Sequence, residues 1–162
     1  MGVEISETTE EVLVISDTWT GTWYLGSSYG RRSQAQTFQA IGASIRGVSL
    51  ALSRTGNPSR PIRVSIRYSL TGTVLGSGEI DPSQVTSTDV NNPAWVTVAL
   101  RVPVREGTSY YLVLEVDGDD ASNYYRVGYN GNNPYPYGIY YPDSGTSGRK
   151  EIDMACKIVF SN

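Results

Sequence analysis

The chain has 162 residues, enough for one domain with one core. Net charge is −3, and the short pair Arg31-Arg32 cannot supply the positive stripe of a nucleic-acid backbone binder. Histidine is absent, Cys156 is the single cysteine, and no apolar run approaches 18 residues. These facts remove the usual general base and zinc ligand, any intramolecular disulfide, and a membrane-spanning helix.

Residues 1–11 are polar and acidic (Glu4, Glu7, Glu10, Glu11) and read as a frayed leader or linker end. The domain itself is expected over 12–162, with its first strand near Val12. An aromatic cluster follows: Trp19, Trp23, Tyr24 and Tyr29, then Arg31 and Arg32. Trp23 reads either as a stacking platform or as a core tryptophan. Gln34, Gln36 and Gln39 flank Phe38, and there a sugar-reading amide competes with a solvated strand face.

Strict alternation then sets in. Val48, Leu50 and Leu52 share one parity, as do Ile62, Val64, Ile66 and Tyr68. So do Val96, Val98 and Leu100, then Tyr110, Leu112, Leu114 and Val116. A period of two means strands with one face on a core. Turn chemistry separates the runs at Thr55-Gly56-Asn57-Pro58, Thr71-Gly72, Asn91-Asn92-Pro93, Glu106-Gly107 and Ser144-Gly145. The one helical turn expected is Asp81 to Val85, with Asp81 as cap and Pro82 at the first position. Asp117 to Asp120 forms an acidic turn that lacks the spacing of a calcium loop.

Seven of the 12 tyrosines fall between Asn123 and Tyr141. The stretch from Asn130 to Gly138 is too rich in Gly, Asn and Pro for a strand, so Tyr135 and Tyr137 are expected on a loop. Rings on a wetted loop suit the apolar faces of sugars, and neighbouring amides suit their hydroxyl rims. The competing reading has these tyrosines plug the ends of the fold. The chain closes on Met154, Cys156, Ile158 and Phe160, preceded by Asp153, a weak candidate for a structural calcium; otherwise no cofactor is expected.

Many short strands, regular turns and no internal repeat imply an all-β antiparallel sandwich of the jelly-roll kind. Pairing of its first and last strands would bring the termini together and suit a module of a larger protein. No nucleophile elbow, metalloprotease helix or phosphate loop is present, so catalysis is not expected.

The patterns Gln36-Thr-Phe, Ile45-Arg-Gly-Val-Ser-Leu-Ala-Leu, Trp95-Val-Thr-Val, Gly107-Thr-Ser-Tyr-Tyr-Leu-Val-Leu, Asn123-Tyr-Tyr-Arg-Val-Gly-Tyr and Asp153-Met-Ala-Cys-Lys resemble lectin-like jelly-roll carbohydrate-binding modules. Such modules are appended to secreted bacterial enzymes, surface proteins and phage proteins. The resemblance implies a polysaccharide or glycan partner, a multidomain parent and an extracellular or surface location. From the aromatic argument, the expected ligand residues are Trp23, Gln36, Tyr124, Tyr125, Arg126, Tyr129, Asn130, Asn133, Tyr135 and Tyr137. The alternative is a structural or adhesion domain that contacts protein.

Overall fold

The computed structural model describes residues 9–27, 32–118, 120–143 and 147–162. The alternating segments are strands because a period-two apolar row can be buried only by extended chain with a core on one side. In chain order they are β1 (Glu10–Val14), β2 (Gly21–Leu25), β3 (Ser33–Gln39), β4 (Ser44–Thr55), β5 (Ile62–Arg67), β6 (Val74–Ile80), β7 (Ala94–Pro103), β8 (Ser109–Val116), β9 (Tyr124–Asn130), β10 (Tyr140–Tyr141), β11 (Asp153–Met154) and β12 (Cys156–Ser161). A single 3-10 turn, Pro82–Gln84, follows β6. Asp81 caps it as expected, its carboxylate accepting from the Ser83 N–H at 2.9 Å. No helix among the described residues is long and apolar enough to cross a membrane.

The strands form two antiparallel sheets packed as a jelly-roll sandwich. The first runs β1-β12-β4-β9-β11, with β2 also pairing β9 and β7 also pairing β4. The second runs β10-β3-β8-β5-β6. β1 lies beside β12 with Glu10 opposite Ser161, so the ends of the domain are neighbours. The first strand thus begins at Glu10, ahead of the expected Val12.

Leu50, Leu52, Val64, Ile66, Val98, Leu112, Leu114, Ile158 and Phe160 are buried in one cluster, as the alternation requires. The outer faces depart from strict parity. Ser65 is buried under Arg67, whose Nε donates to its hydroxyl at 3.2 Å. Ala51 and Ser53 are buried on the outer face of the first sheet, which the chain leading into β7 crosses. There the Val90 carbonyl accepts from Thr22 Oγ1 at 3.1 Å, and the Asn91 carbonyl from Trp19 Nε1 at 3.2 Å. Tyr68 corrects the expectation for β5: the register shifts after Ile66, the strand ends, and the side chain is 62% exposed. The run from Met154 to Phe160 is also not one strand. At Ala155 it passes from β9 to β4, its N–H on the Gly128 carbonyl and its carbonyl on the Ala51 N–H.

The two sheets meet closely along β6 and β7 because two inward positions of β6 are Gly76 and Gly78. A Cβ on Gly78 would lie 2.8 Å from both Leu100 Cδ2 and Val98 Cγ2. Gly78→Ala is therefore expected to lower stability by about 1–3 kcal/mol through overpacking. Leu114→Ala should cost about 2–5 kcal/mol through a cavity. Denaturant unfolding of the two variants measures both.

Candidate functional site

The tyrosine-rich segment divides among several faces. Along β9, Tyr124 and Arg126 project from the outer face of the first sheet, while Tyr125, Val127 and Tyr129 project inward. Tyr125 is 1% exposed and donates its hydroxyl to the Arg60 carbonyl at 2.6 Å; burial pushes that hydroxyl up to about 12. Tyr129 packs edge-on against Trp23, with ring centroids 5.9 Å apart, and against buried Tyr140 at 6.5 Å. Trp23 donates its Nε1–H to Asp143 Oδ1 at 3.1 Å, which ties the edge of one sheet to the edge of the other. Asn130 is buried and donates to Ser16 Oγ and Thr18 Oγ1. Tyr125 and Asn130, expected to meet ligand, are thus taken up by the fold.

Gln36 needs the same correction. β3 turns Gln34 and Gln36 inward, neither onto solvent nor onto a sugar. Gln36 Nε2 donates to Asp153 Oδ1 at 3.1 Å, and its Oε1 accepts from the Met154 N–H at 2.9 Å. Asp153 is the other half of this tie. Its Oδ2 accepts from the Tyr135 N–H at 2.9 Å and from the Asn133 amide at 3.2 Å, so it fastens the loop between β9 and β10. Burial raises its carboxyl above the ordinary value, and the N–H groups of Tyr135 and Gln36 oppose that rise. Both oxygens point at N–H donors, a setting that does not fit a calcium ligand. Among the described residues, no three His, Cys, Asp or Glu side chains gather as a metal site.

On that loop the two expected tyrosines differ. Tyr135 is half-buried against the core, and its hydroxyl accepts from the Gln39 N–H at 3.0 Å. It is a structural plug at the edge of β3, which corrects its expected place outside the core. Tyr137 is 82% exposed and meets Tyr135 edge-on.

Tyr124 stands at the other end of β9, about 20 Å away at the rise of an extended chain. Loops reverse around it through Gly26, Gly56 and Gly118, with φ of 79°, 65° and 99°. They enclose a cavity of about 110 Å³ whose walls include Asn57, Ser59, Arg60, Asp120, Asn123 and Tyr124. Asn123 Oδ1 accepts from the Asn57 N–H at 2.9 Å, which joins two of the loops. The Ser122 N–H, then the Asn123 amide, hold the Asp120 carboxyl below its usual range. Beside the cavity, the Tyr24 ring lies 5.5 Å from Tyr124, and Arg126 Cζ sits 4.2 Å over Tyr24 and 5.7 Å from Tyr124. Of the residues expected at a site, Tyr124, Tyr125 and Arg126 come together at this end of β9, with Tyr125 in the cavity wall and Arg126 beside it. Tyr24, Asn57, Ser59, Arg60 and Asn123 join them without having been singled out for ligand. Residues 1–8 of the expected leader, Tyr29, Arg31, Asp119 and the Ser144-Gly145 turn lie outside the described residues.

No protein-family model and no curated protein matches the chain. Three solved carbohydrate-binding modules are similar to it. A β-1,3-glucan-binding family 6 module from Bacillus halodurans shares 16% identity at a TM-score of 0.41, over 73% of this chain and 91% of that one. A family 36 module in complex with calcium and xylotriose shares 13% at 0.37, over 74% and 95%. A family 35 module from Clostridium thermocellum shares 12% at 0.33, over 73% and 85%. The likeness is one of sandwich fold, and the ligands named are those proteins' own.

Tyr135→Ala is expected to cost about 3–5 kcal/mol, as for a packed aromatic, and Tyr137→Ala less than about 0.5 kcal/mol. Thermal unfolding of the two variants separates the plug from the free ring. Any shift of melting temperature with calcium is expected to be the same in the native domain and in Asp153→Asn, because the Asp153 oxygens already hold N–H groups. A calcium-dependent rise that is lost in Asp153→Asn would refute that account of Asp153.

Proposed function

We propose that the domain is a non-catalytic carbohydrate-binding module that holds a glycan at Tyr124. One observation carries the reading. A half-buried tyrosine ring forms a wall of a small cavity whose lining mixes polar side chains with Pro58, Val116 and the Tyr125 ring, and a second tyrosine stands beside it. An apolar ring face suits the C–H face of a sugar, and the amides of Asn57 and Asn123 suit hydroxyls that donate and accept. The cavity volume of about 110 Å³ suits one sugar ring or a chain end, with the rest of the glycan in solvent.

Asp120 argues against hydrolysis at this place. It is the one carboxylate among the described residues lining the cavity, and its carboxyl is held ionised. A glycosidase needs a second carboxyl and an acid with a raised pKa. The wider setting is proposed with the function: a glycan partner, a multidomain parent and an extracellular or surface location.

A glycan is expected to bind with a Kd between micromolar and millimolar, roughly −4 to −8 kcal/mol, as fits one stacked ring and solvent-exchanged hydrogen bonds. Tyr124→Ala should weaken it by about 1–3 kcal/mol, whereas Tyr137→Ala should leave it unchanged. Affinity electrophoresis over a panel of polysaccharides tests both. Full binding by Tyr124→Ala and loss in Tyr137→Ala would move the site to the loop between β9 and β10.

A further inference from the structure

We propose that Arg126 recognises a carboxylate on the sugar, so that the face formed by Tyr24, Tyr124 and Arg126 selects polyuronates over neutral glycans. This names the ligand class of the site above and rests on that reading. Three other arginines of the fold have polar partners for their guanidinium groups. Arg67 pairs with Glu115, and Arg63 Nη2 lies 3.5 Å from Asp117 Oδ2. Arg54 donates to the Val85 and Gly56 carbonyls and to Asn57 Oδ1. Arg126 has neither an ion pair nor a hydrogen bond among the described residues. Its contacts are the two rings, and its Nε is buried with no partner.

With Nε buried, the two terminal nitrogens of the guanidinium carry its other four N–H donors in a rigid fork. Opposite Arg126 on β4 stands Ser53, whose side chain is fully buried and whose hydroxyl also lacks a partner. Two unpartnered polar groups therefore stand opposite each other on paired strands, with the guanidinium over the Tyr24 ring. Stacking on Tyr24 holds the guanidinium in place before any ligand arrives. The group that matches such a fork is planar and anionic with two acceptor oxygens, a carboxylate. In the wall of the adjoining cavity Arg60 acts on the ionised Asp120, which leaves Arg126 as the cation for the ligand's carboxylate. A carboxylate on a sugar ring combines that match with a C–H face for Tyr124. Net charge −3 gives the domain no general attraction for polyanions, so retention of one must come from a local cation.

The test uses the whole chain in affinity electrophoresis and calorimetry with polygalacturonate, its fully methyl-esterified form, a neutral β-glucan and dextran sulfate. The expected result is binding of polygalacturonate that weakens with salt, and at least tenfold weaker binding of the ester, which keeps the backbone but loses the charge. Arg126→Gln should lose about tenfold to a hundredfold, and Arg126→Lys nearly as much because it lacks the fork, with circular dichroism spectra unchanged. The ester comparison uses the native chain, so it decides even if a variant fails to fold. Equal binding of acid and ester, or native affinity in Arg126→Gln, overturns the inference and leaves the carbohydrate reading standing. Dextran sulfate bound as tightly as polygalacturonate overturns carboxylate selectivity. Binding of none of the four polymers overturns the inference together with the reading it rests on.

Discussion

Two glutamines on the inner face of β3 impose the constraint on which one whole side of the molecule depends. An amide in a core must find acceptors and donors there, because each group left unpaired costs about 1–3 kcal/mol. Gln34 meets the requirement by donating to the carbonyls of Trp23 and Tyr24 and accepting from the Tyr140 hydroxyl. Gln36 does so through Asp153 and the Met154 N–H. Those partners belong to β2, β10 and β11, short strands at the sheet edges. Hydrogen bonds with defined directions hold this side, whereas Gly76 and Gly78 let close apolar packing hold the other.

The position of the candidate site follows from that arrangement. With β2 tied to β3 by Gln34 and held on β9 by its ladder and by Trp23 against Tyr129, Tyr24 must emerge on the outer face next to Tyr124 and Arg126. The loop fixed by Asp153 carries Tyr137 outward at the opposite end of β9. One tyrosine-rich segment thus supplies a core pillar, an edge plug, an outer platform and an exposed ring. Backbone parity and a single buried carboxylate decide which tyrosine takes which part.

What the sequence reveals, and what it conceals, divides along the reach of the interactions. Alternation is a local property, so β4, β5, β7 and β8 are legible with their buried residues, and so is the turn capped by Asp81. The same alternation carries a signal in Asn123-Tyr-Tyr-Arg-Val-Gly-Tyr that composition alone hides: Tyr124 and Arg126 share one face, and Tyr125, Val127 and Tyr129 the other. Gln36 is not legible, because its partner Asp153 is 117 residues away and a polar side chain on a strand reads as solvated. The cavity is not legible either. Asn57, Arg60 and Asn123 sit on loops that meet only after both sheets have formed.

The pairing of β1 with β12 has a mechanical consequence. Glu10 and Ser161 face each other at one end of that ladder, so a pull that parts them opens it like a zipper, one hydrogen-bonded pair after another. Such a ladder yields at low force, because no two rungs share the load. A domain tethered through both ends would pay out the short length of β1 first. Tyr24, Tyr124 and Arg126, carried by β2 and β9, would stay seated while the tether lengthened.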